Sequence, residues 1–529
     1  MATLAVLGSS AVAPVASSAT VQPLVISVDT PARIGLPIWV RANLHGDLTA
    51  RYPFQDDPRY FGSNQLELKR DGQALAPQRG HSSGGLVGRV EGSIAPPTSP
   101  QNRLPLNLGF VIDKPGRYSV RWTVIGSSLA PGVLTQSEWL DFEVGASAPA
   151  ARETWLTQLL RTPPTETGAF VGDYLPALLA AAPDPRVAQA VIDATYLSDP
   201  LMSSCALAGL RVFPAERIVP VTLRTLQERG PNKQLAYFAS WNASWFQDHR
   251  EEIVSMAVSA LTSDDDAVLV GGLQFLNFAP HFDWPDDTPL RKATRSLKTA
   301  APRLMTRSDD VAHQLATTLG GTMDPEVRPL LNEIAAKHAS AREQAQIAIR
   351  WVSGPLPQTH ERAPAPLSEA VTKLEAAASA DRKLAADTLM RVAQRGQQDQ
   401  GSVAAYLVND VIRQRRNVNA DTWRDAALIL SRLQSPLASG LTVYLERDGA
   451  AAALMESGNV VTEAVVDVLK VGGPARRRLA AQVLGALGNT VARDALGAAL
   501  KTEPDVNVKR AIEEALVHFG QRGPAAEIR

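Results

Sequence analysis

Two stretches near the C-terminus follow one pattern. Pro474-Ala475-Arg476-Arg477-Arg478-Leu479-Ala480-Ala481-Gln482-Val483-Leu484-Gly485-Ala486-Leu487-Gly488 is echoed by Val506-Asn507-Val508-Lys509-Arg510-Ala511-Ile512-Glu513-Glu514-Ala515-Leu516-Val517-His518-Phe519-Gly520, with Gly488 and Gly520 closing the two copies. Each copy places apolar residues at helical spacing and ends on Gly, the residue that most readily stops a helix. A fixed period of roughly 30 residues, with two amphipathic helices per unit, confines a chain to a stacked array, because one unit cannot bury its apolar face without neighbours. Such an array is first of all a surface for binding.

Helical spacing extends well upstream. From Trp155 onward apolar residues recur at i, i+3, i+4 and i+7, as in Val187, Ala190, Val191 and Ala194. Asp184-Pro185, Asp199-Pro200 and Asp324-Pro325 read as helix starts, with the acid capping and Pro in the first turn. Ala208-Gly209-Leu210 returns further on as Gly271-Gly272-Leu273, at close to two periods. On these residues the chain resembles a HEAT-type array, similar to the short bacterial HEAT-like repeats of the PBS-lyase type. The resemblance implies an α-helical solenoid over residues 150–352 and 367–529. Between them the run from Ser353-Gly354-Pro355-Leu356-Pro357 to Ala363-Pro364-Ala365-Pro366 cannot continue a helix, so 353–366 reads as a Pro-rich linker. Arg476 to Arg478 and Lys509-Arg510 read as solvated helix ends.

Residues 21–147 change period from helical to two. Val21–Val28, Leu36–Leu44 and Leu66–Gly72 read as strands, the last closing on an Asp-Gly turn. Leu104, Leu106, Leu108, Phe110 and Ile112 alternate as a further strand, followed after Pro115-Gly116 by Tyr118–Val124 and then by Ser137–Val144. The stretch Leu104 to Trp122 resembles the E–F corner of immunoglobulin-like domains, where a Tyr follows a Pro-Gly turn. That resemblance implies an Ig-like antiparallel β-sandwich over 21–147, with the Tyr118 hydroxyl pinning the corner and Val120 and Trp122 sharing its face. The fold class is therefore multidomain, β then α. Arg51–Phe61 and residues 73–103 read as loop excursions.

Charge argues against nucleic acid as a partner. The chain holds 53 basic and 54 acidic residues, and residues 20–147 carry 12 Lys and Arg against 11 Asp and Glu, so neither part forms a basic footprint. The single cysteine, Cys205, sits in an apolar helical context and reads as a buried thiol. Residues 1–20, apolar and ending Ala16-Ser17-Ser18-Ala19, read as a signal remnant or a tail, which favours an extracytoplasmic, periplasmic or secreted protein. No later stretch has the apolar length of a membrane span.

The search for chemistry finds little. Gly80-His81-Ser82-Ser83-Gly84 satisfies the G-x-S-x-G pattern but lacks the strand before it and the helix after it that a nucleophile elbow needs. The eight histidines are scattered, and Asp264-Asp265-Asp266 and Asp286-Asp287 lack the alternating ligands of a calcium loop, so capping is expected of them. Neither a metal nor a cofactor is expected. One aromatic cluster stands out, Tyr237 to Phe246, where Phe238, Trp241 and Trp245 fall on one face of a continuous helix. These three are the candidate anchors for a partner, weighed against simple core packing. Asn242-Ala243-Ser244 is also a glycosylation triplet, and inside a helix it reads as incidental.

The sequence thus supports a non-enzymatic scaffold that binds another protein or a peptide segment. A hydrolase with a loop site on the β part and a structural module of a cell-envelope assembly are the alternatives. Oligomeric state is open.

Overall fold

The computed structural model describes residues 24–43, 63–75, 103–125, 133–182, 184–284, 286–322, 324–353, 370, 383–389, 408, 420–433 and 435–521. Residues 1–20, the Arg51–Phe61 loop, the Gly80–Gly84 pattern and the linker beyond Ser353 lie outside them. The chain divides into two compact units, one closing at Thr154 and the other running from Trp155.

The N-terminal unit holds two sheets. β1 (Ile26–Val28), β3 (Trp39–Ala42) and β6 (Arg103–Pro105) form the first, in the order β1-β3-β6. β2 (Ala32–Arg33), β4 (Ser63–Arg70), β5 (Gln73–Ala74), β7 (Gly116–Ile125), β8 (Val133–Gln136) and β9 (Leu140–Gly145) form the second, in the order β2-β9-β7-β4-β5 with β8 also on β7. All pairs are antiparallel except β2 with β9. Both sheets feed one apolar cluster, with Val40 and Leu104 from the first and Leu68, Val120, Trp122 and Phe142 from the second. The β4–β5 hairpin turns at Asp71 and Gly72, whose φ angles of 50° and 80° are those a two-residue turn requires.

The corner expected at Tyr118 is present: its hydroxyl donates to the Lys114 carbonyl at 2.7 Å, and its ring stacks on Phe142 at 5.9 Å. Tyr118, Val120 and Trp122 are all buried together. Tyr118→Phe keeps the ring and removes the bond. It is expected to lower the denaturation midpoint of this unit by the equivalent of about 1 kcal/mol; an unchanged midpoint would mean that the corner contributes nothing.

The strand expected over Leu104–Ile112 stops early. Only β6 is extended, and Leu106–Leu108 form a 3-10 turn. Pro105 has no N–H to continue a ladder, and Asn107 turns its side chain back to accept from the Ile38 N–H at 2.7 Å. The apolar residues remain buried, so the alternation marked burial rather than extension.

The second unit is helical. A first row comprises Pro185–Ala194, Ala215–Arg229, Arg250–Ala260, Thr288–Leu304 and Arg328–Lys337. A second row comprises Pro200–Gly209, Lys233–Trp241, Asp266–Phe278, Asp309–Gly321 and Arg342–Ser353, each packed on the next. Second-row helices start at equal steps at Pro200, Lys233 and Asp266, a longer step leads to Asp309, and the first step returns between Asp309 and Arg342. Two of these steps carry Pro200 to Asp266. Gly209 closes its helix whereas Gly272 lies in the middle of its own, so the two glycines are not equivalent positions. The Asp-Pro starts behave as expected. The Arg186 N–H donates to Asp184, the Leu201 and Met202 N–H groups to Asp199, and the Glu326 N–H to Asp324.

The terminal run comprises Ala420–Arg432, Ala450–Glu456, Thr462–Val471, Pro474–Leu487, Thr490–Leu500 and Val506–Gln521, with 3-10 segments at Pro436–Tyr444 and Gly458–Val461. The two echoing helices pack on each other, and Gly485 makes room for Ala515. Gly488 ends its helix at a φ of 71°, whereas the last helix runs through Gly520. The C-terminal Gly therefore does not close its copy as the echo implied.

Candidate functional site

The aromatic cluster does not form one continuous helix face. Helix Lys233–Trp241 ends at Asn242, whose side chain Nδ2 donates back to the Phe238 carbonyl at 2.8 Å, and a new short helix, Ala243–Phe246, follows. Phe238 and Trp245 stay together across this break, and Trp241 is the ring that parts from them. Phe238 and Trp245 are 0% and 1% exposed and meet edge to face at 6.0 Å, so neither has surface to offer a partner. Asn242, at 2% exposure, is closed to glycosylation for the same reason.

Trp241 alone of the three candidates keeps part of its surface, and it heads a different set of rings. Tyr237 lies 5.9 Å from Trp241, one turn earlier on the same helix face. Phe278, at the end of the next second-row helix, lies 5.5 Å from Tyr237, and His281 follows 5.5 Å further on. The Arg211 guanidinium covers the other end, 5.0 Å from the Trp241 ring. All five side chains are half-buried. Burial pushes the Tyr237 phenol above its ordinary pKa, so it stays protonated and able to donate. This ridge runs from the 3-10 turn Leu210–Val212, which follows helix Pro200–Gly209, across helix Lys233–Trp241 to the end of helix Asp266–Phe278 and the turn Ala279–His281. It combines the ring and guanidinium chemistry that concentrates binding energy at interfaces. The i,i+4 spacing of Tyr237 and Trp241 was readable in the sequence; no spacing marks Phe278, His281 or Arg211 as their neighbours.

A second polar constellation ties the terminal run back onto the middle of the array. Helix Thr462–Val471 packs against Ala215–Arg229 and Ala243–Phe246. The Trp245 indole N–H donates to Asp467 Oδ2 at 3.2 Å, and Lys470 Nζ lies 3.6 Å from Glu216. The Gly473 N–H donates to Asp248 Oδ2 at 2.7 Å, so the helix that begins at Pro474 is capped by an acid 225 residues earlier. Arg476, 1% exposed, donates to the Ser244 and Thr442 carbonyls at 3.0 Å and to Asp248 at 3.2 Å. Burial pushes its pKa down while Asp248 pulls it back. The reading of Arg476–Arg478 as a solvated helix end is corrected for two of the three. Arg476 shares the face of Ala480 and Leu484, and Arg477 makes a two-pronged pair with Glu503 at 2.7 and 2.9 Å. Its position on that apolar face is the signal that would have found Arg476.

The remaining reactive groups have structural employment. Burial pushes the Cys205 thiol up to about 12, away from the thiolate a nucleophile needs. Asp265 accepts from the Ala267 N–H, Asp266 from Arg307, and Asp286 from Thr288, which are capping and pairing roles. Among the described residues no three His, Cys, Asp or Glu side chains gather as metal ligands. Among the same residues no helix is long and apolar enough to cross a membrane.

No protein-family model matches the chain, and no curated protein matches it. Among solved structures, an engineered protein aligns over 69% of this chain and 98% of its own, at 18% identity and a TM-score of 0.23. Yeast importin-beta aligns over 70% of this chain and 57% of its own, at 10% identity and a TM-score of 0.25. Human deoxyhypusine hydroxylase in complex with glycerol aligns over 52% and 98%, at 17% identity and a TM-score of 0.15. Superposition at that level leaves the reading of this chain to its own residues.

Proposed function

We propose that this chain is a non-enzymatic scaffold that binds another protein, or an extended segment of one, on the second-row helices of its array. The observation that carries the reading is the ridge Arg211–Trp241–Tyr237–Phe278–His281: contiguous rings and a guanidinium, partly exposed and placed across successive repeats. We read the helical unit as HEAT-like, which its two rows and the step repeated in three of the four second-row intervals support. The N-terminal unit we read as an Ig-like sandwich, supported by two sheets on one core and the Tyr118 corner. Of the three candidate anchors, Trp241 retains the binding role, joined by Tyr237 and Phe278.

Comparing the full-length chain with its Trp241→Ala/Tyr237→Ala variant tests the ridge. Loss of central aromatic anchors costs about 2 kcal/mol or more, so a partner recovered with the wild type is expected to bind the variant about thirtyfold more weakly. Matching far-UV spectra would show that the helices persist. Equal affinity of the two proteins for that partner would remove the ridge from the binding surface.

A further inference from the structure

We propose that the contact of helix Thr462–Val471 with helix Ala215–Arg229 and the short helix Ala243–Phe246 is a proton-operated clasp, closed while the Asp467 carboxyl is neutral and loosened when it ionises. The proposal stands independently of what the ridge binds.

Asp467 is placed in the seam itself. It is 3% exposed, and its Oδ2 accepts one long bond from the Trp245 indole, a residue 222 positions away. An ionised carboxylate in such a place needs two or three strong donors or a dedicated cation to balance its lost hydration. One neutral indole is a weak substitute.

The surrounding charges do not supply the balance. On its own helix Asp467 has Lys470 one turn ahead and Glu463 one turn behind, and Glu216 faces it from Ala215–Arg229. Lys470 lies 3.6 Å from Glu216, so its ammonium is shared between that carboxylate and Asp467. From helix Pro474–Leu487, Arg476 turns instead to Ser244, Thr442 and Asp248, and Arg477 to Glu503. On helix Thr490–Leu500, Arg493 pairs with its neighbour Asp494. The 3-10 segments contribute no acid or base beyond Tyr444, whose ring packs on Trp423.

Burial therefore dominates and pushes the Asp467 carboxyl up to about 7, against the smaller opposing pull of Lys470. The sign follows. A carboxyl whose pKa is higher in the closed state than in the open one is held protonated by closure, so the closed state binds the extra proton between about pH 4 and about pH 7. Closure is then most favourable at the acid side of that window. It weakens as pH rises through it, and the full penalty of a buried charge is felt above about pH 7. The other end of the seam, where Asp248 receives Gly473 and Arg476, does not depend on Asp467, so loosening begins at the Asp467 end.

Hydrogen exchange of the full-length protein at about pH 5.5 and about pH 8.5, corrected for the intrinsic pH dependence of exchange, reads the clasp directly. Peptides covering 462–471 and 215–229 are expected to lose about tenfold in protection at the higher pH. Asp467→Asn, neutral at both, is expected to show equal protection. Wild-type protection that does not change, or an Asp467→Asn protein that loses as much as the wild type, overturns the proposal. If Asp467→Asn does not fold, Trp245→Phe decides the matter. Removing the indole donor to the carboxylate should move the protection midpoint to higher pH, and an unmoved midpoint rejects the clasp.

Discussion

Asp248→Ala, in the 3-10 turn Gln247–His249, is expected to destabilise the helical unit by about 3 kcal/mol. The effect has two sources. The Gly473 N–H at the start of helix Pro474–Leu487 loses its acceptor, worth about 1 kcal/mol for a cap. The larger part comes from Arg476, which stays desolvated and keeps the Ser244 and Thr442 carbonyls but loses the one carboxylate it touches, leaving only the more distant pull of Glu446. Arg476→Met removes the charge along with its need for a partner and fills similar volume. It is therefore expected to cost less, about 1–2 kcal/mol, because Asp248 is exposed enough to rehydrate. Denaturant midpoints followed by far-UV circular dichroism give the comparison. Should the double variant Asp248→Ala/Arg476→Met prove no more stable than Asp248→Ala alone, the buried charge is not the cause.

Gly271→Ala is expected to be comparably harmful, at about 3 kcal/mol, although it adds a single methyl. A Cβ at Gly271 would stand 2.5 Å from the Asn232 Cα and would also meet the Pro231 carbonyl, both backbone atoms of the preceding repeat. That backbone cannot retreat easily. Asn232 Oδ1 accepts from the Leu235 N–H at 2.7 Å, and its Nδ2 donates to Thr195 Oγ1 at 3.0 Å. Gly497→Ala is the control, since a Cβ there meets nothing within 4 Å and Ala favours the helix. A Gly271→Ala protein that melts with the wild type would mean that the two repeats slide apart without cost.

What could be read in advance was what the chain settles locally. The Asp-Pro caps act within their own first turn, the Tyr118 hydroxyl reaches back only to Lys114, and the echo between the two terminal helices survives because both keep their apolar phase. Asn242 shows the limit of a periodic argument, because the helix stops there with its side chain on the Phe238 carbonyl, and of the three rings at helical spacing only Trp241 keeps surface. Arg476 was hidden by its neighbours: in a run of three arginines the buried one looks like the exposed one until the helix phase is imposed. Trp245 with Asp467, and Tyr237 with Phe278, meet only because separate helices pack, and no one-dimensional spacing encodes such meetings.

The cap that Asp248 provides for Gly473 has a consequence for how this chain can grow. Repeat proteins ordinarily extend or shrink at their ends, where a layer touches only its neighbour. Here the polypeptide leaves residue 248 and returns to the same spot at residue 473, so everything between is a closed excursion with fixed ends. Any change of length inside the excursion must bring residue 473 back onto residue 248, so the two points of return are expected to stay matched to each other.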